Sequence, residues 1–332
     1  MRAAVIGAGA WGTALADVLA RNGHHVGLWA READVVSFVN ASHENARFLA
    51  GIPLHPGVRA HGEMGEALEG AALAIFAAPS HVLRLVARAA AQSVGRDTVI
   101  AVATKGIERD TLALMTDVVE QEVGHADVVA LSGPSFAAEV ARRQPTALVA
   151  AARMPAHAQL AQQLLSSPEF RVYTSDDVIG VELGGALKNV MAVATGVVDG
   201  LQLGFNARAA LITRGLAEMM RLGVPLGAQP ATFAGLAGLG DLVLTCTGAL
   251  SRNRAVGLAI GEGQTLAQAI EGKETVAEGV LNAESARALA ARVGVEMPII
   301  EATYRILFEG VPPITAVADL MRRELRPEQD PA

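Results

Sequence analysis

The sequence contains a single cysteine, Cys246, so no disulfide bond can form within the chain. A chain without disulfides is typical of a reducing compartment, and we expect the protein to be cytoplasmic. A lone cysteine can serve as a nucleophile or a redox sensor, but a small buried side chain is the commoner role. We therefore expect Cys246 to be structural.

Charged residues are also scarce, at 18% of the chain, and acidic residues outnumber basic ones by 34 to 27. The hydrophobic share of 51% argues against a disordered chain, and the net charge of −7 argues against duplex DNA or anionic lipid as a partner. The expected partner is a small molecule, and any phosphate on it must be bound by a few local cations. Aromatic residues make up only 4% of the chain, so the core is aliphatic.

An integral membrane segment and a secretory signal peptide are not expected. The stretch 222–240 lacks charge over a nearly membrane-long span, but it contains five glycines and two prolines. These residues would interrupt a spanning helix. We therefore expect turns and short helices there. The N-terminal residues lead almost directly into an apolar strand, without the pattern of a signal peptide.

The first half of the chain alternates short β-rich runs with helical stretches. The runs are apolar throughout, as in parallel strands that are covered on both faces. The pattern predicts an α/β fold with a right-handed, doubly wound sheet. We expect a helix at 11–21, strands at 3–6, 25–29, 72–76, 99–102 and 128–131, and edge strands at 147–150 and 170–173.

Strand signals nearly vanish after about residue 178, and long helical patterns replace them. We predict helices at 181–198, 207–222, 254–260, 280–293 and 297–308. The sequence therefore predicts a nucleotide-binding domain at 1–177, an all-α substrate and catalytic domain at 178–326, and a frayed tail at 327–332.

A glycine-rich motif, G-x-G-x-x-G, lies between the first strand and the first helix. In this context the motif indicates a dinucleotide site of the Rossmann type. Gly7 would form the tight turn, Gly9 would let the pyrophosphate approach the backbone, and Gly12 would let helix and strand pack closely. The helix N-terminus would offer N–H groups and a partial positive charge to the phosphates.

The end of the second strand bears on the choice of dinucleotide. NAD sites usually place an acidic residue there, which binds the ribose hydroxyls. Here the end reads Trp29-Ala30-Arg31, and Arg31 could bind a 2′-phosphate. We expect NADP(H) to be preferred and NAD(H) to be tolerated. Glu32 would favour NAD if its side chain pointed into the site, and Arg31 could instead be a solvated loop charge.

Two polar clusters follow later strands. Lys105 comes directly after the fourth strand, and ligands of open α/β sheets lie at the carboxyl ends of strands. Gly133 and Ser135 follow the fifth strand. Gly133 permits a close backbone approach, and Ser135 could contact the substrate, cap the next helix, or do both.

A third cluster lies within the first helix of the second domain. Gly184 and Gly185 share one helical face with Lys188. Each glycine costs roughly 1 kcal/mol in a helix relative to alanine, so we expect a ligand to approach that face closely. Apolar surroundings and a second cation such as Lys105 would both lower the pKa of Lys188. These effects would suit Lys188 to act as a general base, although a surface lysine is the alternative.

Polar residues recur near positions 241–254. Asp241 lies between uncharged flanks and needs a cation or a hydrogen-bond donor. Ser251 and Asn253 look like helix-opening residues, and Arg252 could bind a phosphate there. Arg254 is expected to be a solvated charge.

At these residues the chain resembles bacterial NAD(P)-dependent glycerol-3-phosphate dehydrogenases over nearly its whole length. The resemblance rests on the segments GAGAWGTALA, ATKGIE, SGPSFAAE, IGVELGGALKNV, NARAALITRGLAEM, AGLGDLVLTCTG and SRNR. It implies a Rossmann domain followed by an all-α domain, as in 6-phosphogluconate dehydrogenase. It also implies interconversion of sn-glycerol 3-phosphate and dihydroxyacetone phosphate, with a role in phospholipid synthesis.

The resemblance further implies roles for individual residues and no need for a metal. Lys188 would be the general acid/base, with Lys105, Asp241 and Thr245 completing the catalytic set. The implied cofactor-binding residues are Gly7, Gly9, Ala10, Trp11, Gly12, Arg31, Lys105, Ala137, Arg252, Val276 and Glu278. The implied substrate-binding residues are Lys105, Gly133, Ser135, Lys188, Asp241, Ser251, Arg252 and Asn253.

Two other functions are compatible with parts of this pattern. Another hydroxyacid or ketopantoate-type dehydrogenase of the same architecture would use a lysine of the helical domain but would not need Arg252 and Asn253 for a phosphate. A catalytically silent NADP-sensing protein would keep the glycine turn but would not need Lys105, Lys188 and Asp241 together. The apolar helical domain makes a homodimer plausible.

Overall fold

The computed structural model describes residues 1–124, 127–272, 277–325 and 327–328. Its contacts divide the chain into two compact units. The sheet unit comprises Met1–Glu108 and Ala113–Glu182, and the helical unit comprises Arg109–Leu112 and Leu183–Ala332. The division falls inside one long helix, five residues beyond the helix start at Val178. A functional boundary between residues 177 and 178 stays a prediction, and most of the predicted tail lies outside the described residues.

The sheet unit alternates strands and helices. Its strands are β1 (Arg2–Ile6), β2 (His25–Trp29), β3 (Val58–His61), β4 (Leu73–Phe76), β5 (Val99–Val102), β6 (Val129–Ser132), β7 (Thr146–Ala151) and β8 (Phe170–Ser175). Its helices are α1 (Ala10–Arg21), α2 (Ala33–Ser42), α3 (Met64–Leu68), α4 (Leu83–Ala90), α5 (Met115–Val123), α6 (Ala137–Ala141) and α7 (Pro155–Leu165).

The strands form one eight-stranded sheet in the order β3-β2-β1-β4-β5-β6-β7-β8. Neighbours from β3 to β6 are parallel, and β7 and β8 are parallel to each other. Apolar side chains pack on both faces of the sheet. Val5 and Ile75 belong to one buried cluster, whereas Ile6 and Phe76 belong to another. This two-sided burial explains why the central strands β4 and β5 are apolar throughout, and it confirms the predicted α/β class.

Three features of the sheet differ from the prediction. The edge strand β3 was missed, because its four residues mix buried and exposed positions and include Arg59 and His61. β7 was wrongly placed at an edge, since it pairs with β6 on one side and β8 on the other. β7 also runs antiparallel to β6. The connection between the two strands contains one short helix, α6.

The helical unit contains no strand in the part of it that the structure describes, as predicted. Its helices are α8 (Val178–Gly200, which starts in the sheet unit), α9 (Gly204–Gly223), α10 (Pro230–Phe233), α11 (Asp241–Thr247), α12 (Arg252–Gly261), α13 (Leu266–Ile270), α14 (Glu278–Val293), α15 (Pro298–Phe308) and α16 (Pro313–Met321). The five predicted helices correspond to α8, α9, α12, α14 and α15. The remaining four were not predicted individually.

Two apolar helical stretches, Val178–Gly200 and Pro230–Thr247, are long enough to cross a membrane by length and composition alone. The first is almost entirely buried in the protein, as a core helix is. The second contains α10, a π-helical turn at Leu236–Gly240 and α11. The stretch 222–240 is thus built of turns and short helices, as predicted.

Glycines let the backbones of α8 and α12 touch. A Cβ atom added at Gly257 would lie 1.9 Å from the Val193 carbonyl oxygen, and one added at Gly196 would lie 2.1 Å from the Arg254 carbonyl oxygen. Both distances are far below van der Waals contact, and both obstacles are backbone atoms that cannot rotate away. The position of α12 against α8 therefore depends on the absence of side chains at these residues.

We expect Gly257→Ala to destabilise the protein by about 2 kcal/mol, because the methyl group would force the two helices apart. Thermal unfolding followed by circular dichroism measures this. Gly62→Ala is the matched control, since a Cβ atom there would meet nothing within 4 Å. Equal melting temperatures for the two variants would contradict the close packing of α8 on α12.

A buried carboxylate caps α15. The Glu218 side chain on α9 accepts hydrogen bonds from the Ile299 and Ile300 backbone N–H groups, at 2.7 and 3.4 Å. Burial raises the pKa of Glu218 from 4.5 to about 7, although these hydrogen bonds oppose the rise. The folded state therefore binds the Glu218 proton more tightly than the unfolded state does. The stabilisation of the folded state by this proton is complete below pH 4.5 and is lost as the pH rises through about 7.

We expect Glu218→Gln to remove this dependence, because the amide cannot ionise. The free energy of unfolding of the variant, relative to that of the wild type, should rise between pH 5 and pH 8. Urea titrations at several pH values measure it. The exposed Glu271→Gln serves as the control and should follow the wild type. Parallel curves for Glu218→Gln and the wild type would refute the expectation.

Candidate active site

The glycine-rich turn between β1 and α1 has the shape that a dinucleotide needs. Gly7 has φ +119°, a conformation that favours glycine, and a Cβ atom at Gly12 would lie 1.9 Å from the Gly7 carbonyl oxygen. A Cβ atom at Gly9 would meet nothing within 4 Å, so the space beside this residue is open. The first helical hydrogen bond runs from the Thr13 N–H to the Gly9 carbonyl. The N–H groups of Ala10 and Trp11 precede this bond, so they have no acceptor within the helix.

An unsatisfied donor supports the same assignment. The Trp11 indole nitrogen Nε1 is buried and has no hydrogen-bond partner among the described residues. Buried donors are rarely left unpaired in native proteins, so a ligand that accepts a hydrogen bond would complete this one. The residues of the turn therefore fit a dinucleotide.

The end of β2 carries an ion pair. The Arg31 guanidinium donates to the Glu32 carboxylate at 2.7 Å, and the Arg31 side chain is 79% exposed. Ala30 is buried. The Glu32 carboxylate thus already accepts a hydrogen bond from Arg31, while most of the Arg31 side chain remains accessible to an anion.

Lys105 and Ser135 converge on one carbonyl. The Lys105 ammonium donates to the Gly133 carbonyl oxygen at 3.0 Å, and the Ser135 hydroxyl donates to the same oxygen at 2.9 Å. Gly133 has φ +137°, which a side chain would strain. The alternative of Ser135 as a helix cap is wrong, because Phe136 is the N-cap of α6 and the Ser135 side chain is held by Gly133. Ala137 is the first residue of that helix.

Lys188 lies at the centre of a buried polar cluster in the helical unit. Its ammonium donates to the Asp241 carboxylate at 2.6 Å and to the Thr245 hydroxyl at 2.7 Å. Thr245 donates in turn to the Asp241 carbonyl at 2.7 Å. Lys188 and Asp241 are both buried, so the alternative of a surface lysine is wrong. The Asp241 carboxylate thus balances the buried positive charge of the Lys188 ammonium.

The expectation that Gly184 admits a ligand is wrong. A Cβ atom there would lie 2.4 Å from the Ala237 carbonyl oxygen, so the protein's own backbone fills the space. Ala237 belongs to the π-helical turn before α11. Gly184 lies one helical turn before Lys188, and Ala237 lies one helical turn before Asp241. The glycine thus allows the two helices to come close enough for the ion pair to form.

Asn189 directly follows Lys188 on α8, and the sequence predicts no role for it. Its Oδ1 atom accepts a hydrogen bond from the Asn253 amide at 2.8 Å, and Asn253 Oδ1 accepts one from the Gly279 N–H at 2.9 Å. Asn189 thereby links α8 to the starts of α12 and α14. Its position directly after Lys188 was the only sequence signal.

Ser251 opens α12 as predicted. It is the N-cap, and its side chain accepts a hydrogen bond from the Arg254 N–H at 3.2 Å. Arg252 is exposed at the first helical position, and its charge interacts with that of Glu278 at the start of α14. Val276 lies outside the described residues.

The prediction of a solvated Arg254 is wrong. Its guanidinium donates to the buried carboxylate of Asp199 at 2.7 and 2.8 Å. The same carboxylate also accepts a hydrogen bond from Arg208 at 2.7 Å. Asp199 therefore joins the end of α8 to α9 and α12, which the sequence around Arg254 could not reveal.

Cys246 is fully buried, and burial raises the pKa of its thiol to about 11. A thiol with a raised pKa is a poor nucleophile, so the structural role expected for this cysteine is confirmed. Among the described residues, no group of three His, Cys, Asp or Glu side chains could hold a metal ion.

Comparison with known proteins identifies two matching family models. Residues 2–158 match the N-terminal part of NAD-dependent glycerol-3-phosphate dehydrogenase, and residues 177–318 match its C-terminal part. The glycerol-3-phosphate dehydrogenase [NAD(P)+] of Trichlorobacter lovleyi is 53% identical over 332 residues, which are 99% of this chain and 100% of that protein.

Solved structures agree with this result. The crystal structure of glycerol-3-phosphate dehydrogenase from Coxiella burnetii is 43% identical, with a TM-score of 0.93 and coverage of 97% of this chain and 99% of that one. The enzyme from Saccharomyces cerevisiae is 26% identical, with a TM-score of 0.83 and coverage of 97% and 99%. The predicted family and fold class are confirmed: the chain belongs to the NAD-dependent glycerol-3-phosphate dehydrogenase family.

Proposed function

We propose that this chain interconverts sn-glycerol 3-phosphate and dihydroxyacetone phosphate by hydride transfer at C2, with NADP(H) as the preferred cofactor and NAD(H) tolerated. The observation that carries the proposal is the buried Lys188, held by Asp241 and Thr245 in a chain of this family. When bound, the nicotinamide supplies or accepts the hydride. The protein's own residues must bind the substrate and move one proton.

Lys188 is the proposed proton carrier. In the oxidising direction its neutral amine takes the proton from the C2 hydroxyl. In the reducing direction negative charge develops on the carbonyl oxygen at C2 as the hydride arrives. The Lys188 ammonium stabilises this charge and donates a proton to the oxygen. Asp241 and Thr245 fix the direction of the amine through their two hydrogen bonds. Burial keeps water from competing for the proton.

The remaining residues are assigned to binding. Arg252, with Ser251 and Asn253 at the N-terminus of α12, suits a phosphate group, because guanidinium donors and a helix N-terminus both favour anions. Lys105, Gly133 and Ser135 form a second set of proposed substrate contacts, and Lys105 also joins the catalytic set. The proposed cofactor contacts are Gly7, Gly9, Ala10, Trp11, Gly12, Arg31, Lys105, Ala137, Arg252, Val276 and Glu278.

The proposal also covers the cellular setting. The single cysteine supports a cytoplasmic location, and the family supports a role in supplying glycerol 3-phosphate for phospholipid synthesis. We further propose that the chain is a homodimer. Gel filtration with light scattering tests this last point directly.

We expect Lys188→Met to lower kcat by at least a hundredfold, because the proton carrier is lost. NADPH binding, measured by fluorescence, should change little. The variant leaves the buried Asp241 charge without Lys188, which is destabilising in itself. The double variant Lys188→Met/Asp241→Asn removes that charge, and it should fold well yet remain inactive.

Activity is measured as NADPH oxidation with dihydroxyacetone phosphate, beside a panel of non-phosphorylated keto acids. Turnover near the wild-type rate in a folded Lys188→Met variant would remove Lys188 from its role. Faster turnover of ketopantoate or another keto acid would replace the proposed substrate with that of a related dehydrogenase.

We expect Arg31→Ala to raise the KM for NADPH about tenfold and the KM for NADH by less than threefold, because the guanidinium would bind the 2′-phosphate that only NADPH carries. Steady-state kinetics with both cofactors measure this. Glu32→Gln is the companion variant and should impair only NADH if its carboxylate binds the ribose. Equal effects of Arg31→Ala on both cofactors would contradict the assignment.

A further inference from the structure

A fully buried asparagine outside the glycine motif is bonded to it. Asn45 lies in the connection between α2 and β3 and has no exposed surface. Its Nδ2 atom donates to the Ala8 carbonyl oxygen and to the Thr13 hydroxyl oxygen, both at 2.8 Å. Its Oδ1 atom accepts a hydrogen bond from the Phe48 N–H at 3.1 Å. Both ends of the amide are therefore in use.

The Ala8 carbonyl receives a second donor. The Thr13 hydroxyl donates to it at 3.2 Å, so Asn45 and Thr13 hold the same oxygen. Ala8 is the residue between the first two glycines of the motif, and it is buried. Its carbonyl oxygen thus points into the protein and is fixed there from two directions.

This anchoring determines where the next N–H group points. In a trans peptide the C=O and the following N–H point in opposite directions. With the Ala8 carbonyl turned inward, the Gly9 N–H is turned away from Asn45. Phosphates bind to N–H groups and are repelled by carbonyl oxygens, so a rotated Ala8–Gly9 peptide would expose the wrong group.

We propose that Asn45 is a positioning residue for the dinucleotide pyrophosphate: it holds the Ala8–Gly9 peptide in the orientation that presents the Gly9 N–H to the ligand. The inference deepens the proposed function and rests on its cofactor. Because the pyrophosphate is common to NADPH and NADH, Asn45 acts equally on both, unlike Arg31.

The test measures dissociation constants for NADPH and NADH by fluorescence, together with melting temperatures. Asn45→Ala should weaken both cofactors by a similar factor of about ten, because the peptide is released from one of its two anchors. Asn45→Asp should weaken both at least as much, since it sets a carboxylate oxygen against the Ala8 carbonyl and adds negative charge beside the turn.

Asn40→Ala is the matched control. The Asn40 side chain also makes two hydrogen bonds to backbone, with the Ala60 N–H and carbonyl at 2.9 Å, but it does not contact the glycine turn. It should lower the melting temperature and leave both dissociation constants within twofold of the wild type. Thr13→Val keeps the side-chain shape and removes the second anchor, so it should weaken both cofactors about threefold even if Asn45→Ala does not fold.

Each outcome is decisive. Folded Asn45→Ala or Thr13→Val protein with wild-type dissociation constants would overturn the role of Asn45, as would a loss confined to NADPH. If Asn40→Ala weakened the cofactors as much as Asn45→Ala, the effect would be one of general stability and the inference would fall. Wild-type protein that bound neither dinucleotide would overturn the proposed cofactor along with it.

Discussion

The ion pair between Lys188 and Asp241 is the constraint around which the helical unit is arranged. Removing two charges from water costs several kcal/mol per ion, and their attraction offsets this only when the geometry is good and further hydrogen bonds are made. The Thr245 hydroxyl supplies such a bond to the Lys188 ammonium at 2.7 Å, and it also lies 3.3 Å from the Asp241 carboxylate. A pair of this kind is weak evidence for stability but good evidence for function, because a hydrophobic pair would be easier to bury.

Glycine is the means by which the helices come close enough to keep that geometry. Gly184 lets the turn before Asp241 rest on α8, and Gly257 lets α12 rest on the same helix. Each contact is made through backbone atoms, so neither depends on a side-chain rotamer. Lys188, the proposed proton carrier, and the start of α12 are in this way both held in place by one helix, α8.

Much of the architecture could be predicted from the sequence because its signals are local. Apolar runs mark the buried strands, and the glycine motif marks the turn after β1. Interactions between distant residues could not be predicted. Gly184 was assigned to a ligand because nothing nearby in the sequence shows that Ala237 approaches it. Arg254 looked solvated because its partner, Asp199, lies more than fifty residues away. The direction of β7 could not be predicted either, because the connection between β6 and β7 is long enough for a parallel or an antiparallel strand.

The shared carboxylate of Asp199 has an electrostatic consequence. One negative charge is divided between Arg208 and Arg254, so the two arginines and their partner together carry a surplus of one positive charge. Arg252 lies two residues before Arg254, at the N-terminus of α12, where the helix dipole is also positive. Its charge is partly offset by that of Glu278. A protein that is acidic as a whole thus contains a local region of positive potential. Such a region would draw a dianionic ester toward α12 against the average field of the molecule.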